Sequence, residues 1–249
     1  MNSYIDIILD FFIRNFPPLK AIAIGGPIAL SWATLCLMFA GFLKMRKNWK
    51  TGYTRKVFHF LIFGTVIGVH WIWNTSGVCL FGGMTSLVIA YALFRGSGYF
   101  MYEAMAREKD APHRTYYVII PYFATLIGGL MSSIFFPATV VFGFLVAGLG
   151  DAIAEPVGTR WGKHKYNVPT IWGLNTTRSL EGSASVLFVS LLALFMCLVF
   201  SHQFELSLRS ILIVIFIAAT STIVEALSPH GWDNATMQVV PAMLGAGML

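Results

Sequence analysis

Residues 139–183 read TVVFGFLVAGLGDAIAEPVGTRWGKHKYNVPTIWGLNTTRSLEGS. The run opens as an apolar segment long enough to enter a bilayer, yet it carries Asp151 in its interior. An isolated carboxylate at that depth is costly and marks either a function or a partner. Glu155 follows four residues on, so a persisting helix puts both carboxylates on one face. Pro156 is expected to kink or end the helix nearby. Gly150, Ala154 and Gly158 allow another backbone, or a phosphate, to come close. A polar loop follows, and Thr177-Arg178-Ser179-Leu180-Glu181-Gly182 then leads back into apolar sequence.

The whole chain agrees with a membrane reading. Of 249 residues, 57% are hydrophobic and 11% charged, where a soluble domain carries roughly a quarter charged residues. Uncharged or nearly uncharged runs at 21–43, 57–73, 78–94, 116–135, 139–157, 184–200 and 209–227 each suit a hydrocarbon core about 30 Å thick. A shorter run, 235–249, could span, tilt or re-enter. Residues 3–16 place Asp6, Asp10 and Arg14 at helical spacing among Ile, Leu and Phe, which suits an interfacial helix that Pro17-Pro18 ends. The fold expected is an all-α polytopic bundle of about seven to eight transmembrane helices plus that N-terminal helix. No polar stretch is long enough for a second domain, so residues 1–249 are expected to form one membrane domain. The first residues show no cationic region or cleavage site, and no secretory signal is expected. Cys36, Cys79 and Cys197 lie in apolar runs without metal-type spacing.

Lys and Arg placement orients the bundle. Lys44, Arg46, Lys47, Lys50, Arg55 and Lys56 follow the first span. Arg95, Arg107, Lys109 and Arg114 occupy the loop around 95–115, and Arg160, Lys163, Lys165 and Arg178 the loop at 158–183. The connections at 74–77, 136–138 and 201–208 carry none. The positive-inside rule therefore puts the basic loops in the cytoplasm and the N-terminus outside. The polar groups singled out here all fall at cytoplasmic ends of spans. Whether the membrane is a bacterial inner membrane or that of an organelle is not written in the sequence.

Gly158-x-x-x-Gly162-Lys163 has the glycines and cation of a phosphate cradle, but lacks the G-K-[ST] ending of a Walker A loop, and GxxxG is also a helix-packing face. Thr177 or Ser179 can cap the next helix, whose free N–H groups would bind an anion. Arg178 offers a forked donor for phosphate. Glu181 either complements the helix dipole or binds metal. Arg55, Lys56 and His59 share one face at the start of a span, as topology-setting charge or as phosphate contacts. Glu225 lies near the inner end of 209–227, and Asp233 or Asn234 could simply cap the last helix.

In order, these pieces resemble the CTP-dependent polyprenol kinase family, which includes dolichol kinase, phytol kinase and CTP-dependent diacylglycerol kinase. The carriers are R-K-x-x-H at Arg55, Lys56 and His59, then G-D-x-x-A-x-x-x-G-x-x-x-G-K from Gly150 to Lys163. S-x-E-G-S at Ser179–Ser183 and the set Glu225, Asp233 and Asn234 complete them. The resemblance covers roughly residues 55–234. Family members commonly carry Lys where this chain has Arg178. A fainter similarity, His230-Gly231-x-Asp233, points to phosphatidate cytidylyltransferase, but the basic residues that precede that signature are missing.

The resemblance implies a lipid-alcohol kinase that moves the γ-phosphoryl of CTP to an isoprenoid alcohol or diacylglycerol at the cytoplasmic face. Asp151, with Glu181 or Asp233, would hold Mg²⁺. Lys163, Arg178, Arg55 and Lys56 would contact phosphates, with Gly158, Gly162, Ser179, Gly182 and Asn234 lining the nucleotide. Glu155, Glu225 or His59 would orient or deprotonate the alcohol. The expected partners are CTP, the lipid alcohol and membrane lipids, with no nucleic acid. A small transporter is the competing class, because intramembrane carboxylates also mark ion pathways. Against it, the polar groups gather at one membrane face and no inverted repeat is visible.

Overall fold

The computed structural model describes residues 4–169, 176–200 and 205–249. Among the described residues the regular structure is helical, apart from one small pair of strands. Two compact units divide it, residues 1–107 and 108–249.

In the first unit, α1 (Tyr4–Asn15) stops before Pro17-Pro18, and α2 (Leu19–Lys47) starts from Pro18 in extended backbone. α2 ends where Asn48 takes the left-handed conformation (φ 53°) and its N–H returns to the Leu43 carbonyl. α3 (Thr51–Arg95) covers 45 residues in two helical arms that meet at a kink. A straight helix of that length would run about 68 Å, over twice a bilayer core of about 30 Å. Asn74, at φ 51° and ψ −157°, breaks it. The Trp32 indole donates to Thr65 Oγ1 at 2.8 Å, while Gly25 faces Trp73. The first arm of α3 therefore runs antiparallel to α2. Gly25 also faces Leu80, and Gly41 faces Phe100, so the second arm runs back alongside α2. Gly77 makes the fold-back possible: a Cβ there would lie 2.7 Å from Val69 Cγ1 and 2.8 Å from Trp73 Cβ. The short α4 (Phe100–Glu103) is tied to the start of α3 by Thr54 Oγ1, which donates to the Ala104 carbonyl at 2.8 Å.

The second unit begins with a 3-10 turn and α5 (Tyr116–Phe135). Then comes a single span, Val140–Trp161, built from α6 (Val140–Leu145), a π-helical stretch (Val146–Gly150) and α7 (Asp151–Trp161). It is the most enclosed span described, with 67% of its apolar window buried against at most 39% in the others. In the π stretch the Asp151 N–H reaches back five residues to the Val146 carbonyl. Such single-turn π segments are found mostly at functional sites. Strands β1 (Lys165–Val168) and β2 (Thr176–Ser179) pair antiparallel, with Tyr166 opposite Arg178. α8 (Leu180–Phe200), α9 (Leu208–Leu227) and α10 (Asp233–Met248) complete the unit. α10 lies close against α5 and α6, where Gly128 and Gly143 face Gln238 without room for a side chain.

Six described helices are long and apolar enough to cross a membrane, and the chain is a multi-pass, all-α membrane bundle. One of the six, α3, folds at Asn74 into two arms that hold the expected runs 57–73 and 78–94 separately, whereas α10, with 16 residues, spans only about 24 Å. Pro156 does not end its helix, which continues to Trp161. The polar loop contains the β1–β2 pair, and its residues 170–175 lie outside the described residues.

Candidate active site

Arg178, the third residue of β2, has a side chain only 12% exposed. Nε lies 3.0 Å from Glu225 Oε1, and one terminal nitrogen lies 2.7 Å from Asp233 Oδ2. The other terminal nitrogen donates to the carbonyls of Glu225 and Ser228. The two carboxylates come from the last turn of α9 and the first residue of α10. A guanidinium forked in this way locks two helix ends to the strand pair.

Asp151, 2% exposed at the start of α7, adds a third negative charge that acts on both Arg178 and Glu225. Burial pulls the Arg178 pKa down, but the charges of Asp233, Glu225 and Asp151 outweigh it and hold the group above the ordinary arginine value. Asp151, Glu225 and Asp233 thus gather three acidic side chains whose charges act on one guanidinium.

Two hydroxyls extend the cluster. Ser183 Oγ donates to Glu225 Oε2 at 3.2 Å, and the Tyr166 hydroxyl lies 2.7 Å from Ser183 Oγ. Tyr166 can reach that position because it sits opposite Arg178 in the ladder, where cross-strand partners share a face. Burial raises the Tyr166 pKa above its usual 10, partly offset by the bond to Ser183. Neither residue was among the expected site residues. Ser183 stands inside the S-x-E-G-S element, whereas nothing local in the polar loop marks Tyr166.

Ser179 organises a second knot. Its hydroxyl accepts from the Gly182 N–H at 3.1 Å, capping α8. A Cβ at Gly158, Gly162 or Gly182 would come within 2.9, 2.7 or 3.2 Å of that oxygen. These glycines let α7, β2 and α8 close on one another, the packing alternative for the GxxxG spacing. The start of α8 is also taken up internally, since the Leu180 N–H donates to the His164 carbonyl at 2.9 Å.

Other expected residues make contacts of their own. Glu181 accepts from His164 Nδ1 at 2.8 Å and from its backbone N–H at 3.3 Å, on a pair whose His is 74% exposed. Lys163 is exposed beside it, and Glu155 is half-buried one turn beyond Asp151. The Asn234 amide donates to the Pro121 carbonyl at 3.1 Å and to Thr125 Oγ1 at 2.9 Å, joining α10 to α5. Arg55, Lys56 and His59 belong to the first unit, at the start of α3. There Lys56 is buried and His59 stacks on Phe63 with ring centroids 4.6 Å apart.

Among the described residues, no group of three His, Cys, Asp or Glu side chains is arranged to hold a metal ion by itself. Mg²⁺ bound together with a nucleotide needs only one or two carboxylates, since phosphates and water fill the rest of its shell. Asp151 and Asp233, whose charges both act on the Arg178 guanidinium, fit that lesser demand in number and type.

Among known proteins, the chain is similar to the phytol kinase of Synechocystis sp., with 26% identity over 191 residues that cover 77% of each chain. The match bears out, as a distant relationship, the resemblance to the polyprenol kinase family carried by the ordered motifs. No family model matches the chain, and no solved structure matches it.

Proposed function

We propose that this protein is a membrane-embedded lipid-alcohol kinase that transfers the γ-phosphoryl of CTP to an isoprenoid alcohol of the phytol or polyprenol type. One observation carries the proposal: three acidic side chains, Asp151, Glu225 and Asp233, act on the Arg178 guanidinium, in a chain similar to a phytol kinase.

In the reaction the substrate hydroxyl oxygen forms a bond to the γ-phosphorus. The bond from that phosphorus to the β,γ-bridging oxygen breaks, and the nucleoside diphosphate leaves with the electron pair. The hydroxyl proton passes to a protein base. Chemistry of this kind needs positioning and charge neutralisation more than covalent help from the protein. Asp151 with Asp233 would hold Mg²⁺, which when bound supplies neutralisation of charge on the triphosphate oxygens.

Arg178, whose donors serve protein acceptors, acts as a positioning residue, fixing the spacing of the carboxylates. Glu225 has one oxygen on Arg178 and the other on Ser183, so it too positions. Glu155 is the candidate within this unit for accepting the proton. Lys163 would contact phosphate, and the cationic loops would draw a polyanionic nucleotide to the cytoplasmic face.

The test is a matrix of γ-labelled nucleotides against lipid alcohols, with the purified protein in mixed micelles. Label should move to phytol or a polyprenol with CTP and Mg²⁺. Transfer to diacylglycerol alone would reassign the acceptor. Flux of a solute into liposomes without nucleotide, and no label transfer, would replace the kinase with a transporter.

A further inference from the structure

Six of the 17 Lys and Arg residues fall within residues 44–56, and no Asp or Glu lies between 41 and 58. They divide by burial. Arg55 is half-buried and Lys56 is 7% exposed, both in the first turns of α3. Arg46, Lys47 and Lys50 are exposed, interleaved with Met45 (54% exposed) and Trp49 (44%).

The turn that carries the exposed set has a defined shape. Asn48 is left-handed, and the N–H groups of Asn48 and Trp49 both return to the Leu43 carbonyl, the latter at 3.2 Å. The Trp49 indole rests edge-on against Tyr53, with centroids 6.4 Å apart. Cations in the last turn of α2 complement its dipole. That accounts for Arg46 and Lys47, and the positive-inside rule for the charge of Lys50, but neither accounts for an exposed indole set among these cations. Immediately past a membrane span, basic residues around a Trp match the headgroup layer of an anionic leaflet, phosphate to cation and indole to the glycerol level.

We propose that Arg46, Lys47, Trp49 and Lys50 form a binding site for anionic phospholipid headgroups, separate from Arg55 and Lys56 and independent of the kinase assignment. Each exposed cation contributes roughly fivefold to the preference for an anionic over a zwitterionic lipid.

The full chain is reconstituted in phosphatidylcholine vesicles containing an equal fraction of brominated phosphatidylglycerol or brominated phosphatidylcholine. The Trp49 signal is isolated as the difference between wild type and Trp49→Phe. Brominated phosphatidylglycerol should quench it several-fold more strongly. That excess should fall in Lys50→Gln, fall further in Arg46→Gln/Lys47→Gln/Lys50→Gln, and shrink in wild type as salt is raised. Equal quenching by the two lipids overturns the proposal, as does an excess unchanged by salt. An excess abolished by micromolar Mg–CTP assigns these cations to the nucleotide and overturns it as well.

Discussion

Arg178 and Asp233 stand 55 residues apart in the chain and 2.7 Å apart in the structure. The same guanidinium holds Glu225, 3.0 Å from Nε. Removing this cation takes a charged partner from two carboxylates, and breaking a buried ion pair by removing one side typically costs about 3–5 kcal/mol. Arg178→Gln should lower the thermal midpoint in detergent far more than Glu225→Gln, which also relieves repulsion among the acids. Arg178→Lys keeps the charge but cannot fork, and should fall between them. Equal midpoints for all three variants would remove Arg178 from the centre of this cluster.

Gly158 and Gly162 differ in what a methyl group would strike. At Gly158 the nearest obstacle is the Ser179 hydroxyl, 2.9 Å away, whereas at Gly162 it is also the Gly158 backbone carbonyl. Ser179→Ala alone should cost about 1 kcal/mol through loss of the α8 cap. Combined with Gly158→Ala it should cost less than the sum of the two, because the obstacle has gone. Gly162→Ala should stay severe in either background. Additive losses in both pairs, measured by thermal unfolding, would contradict the packing described here.

The Tyr166 phenol should ionise late. Its pKa lies above the usual 10 because burial disfavours the phenolate, so the folded state holds this proton more tightly than the unfolded chain does. The associated stability is present below pH 10 and disappears as pH climbs through the higher folded value. Subtracting the ultraviolet titration of Tyr166→Phe from that of wild type should leave a component with its midpoint above 10. A component at or below 10 would place Tyr166 in ordinary solvent.

Glu181 serves to separate the two metal alternatives. Its carboxylate is occupied by His164 at an exposed edge, whereas Asp233 shares Arg178 with Asp151. Glu181→Gln should therefore leave phosphoryl transfer within about tenfold of wild type, while Asp233→Asn should cost on the order of a hundredfold and raise the Mg²⁺ concentration needed for half-activity. A reversed ranking would return the metal role to Glu181.

Much of the fold was legible because span length and apolar content are properties of contiguous sequence. Asp151 stood out for a similar reason, as one charge inside an apolar run. What a carboxylate pairs with is a different matter, set by residues far along the chain. Arg178 suited a phosphate as well as a protein acid, and only assembly of β2 with α9 and α10 gives its donors to Glu225 and Asp233. Asn234 suited capping or nucleotide contact until α5 came beside it. Val146–Gly150 carries no local sign of its π geometry, and the fold-back at Asn74 depends on a single left-handed residue with Gly77 three positions on. Tyr166 gains its place from the strand register, a long-range property that no local pattern encodes.

The most direct trial of the central claim is single-turnover transfer of labelled γ-phosphate from Mg–CTP to phytol or a polyprenol, comparing wild type with folded Asp151→Asn protein. The account predicts transfer by wild type and at least a hundredfold slower transfer by the variant. Undiminished transfer by Asp151→Asn would contradict the role given to the acidic cluster, and no transfer by wild type to any lipid alcohol would contradict the kinase itself.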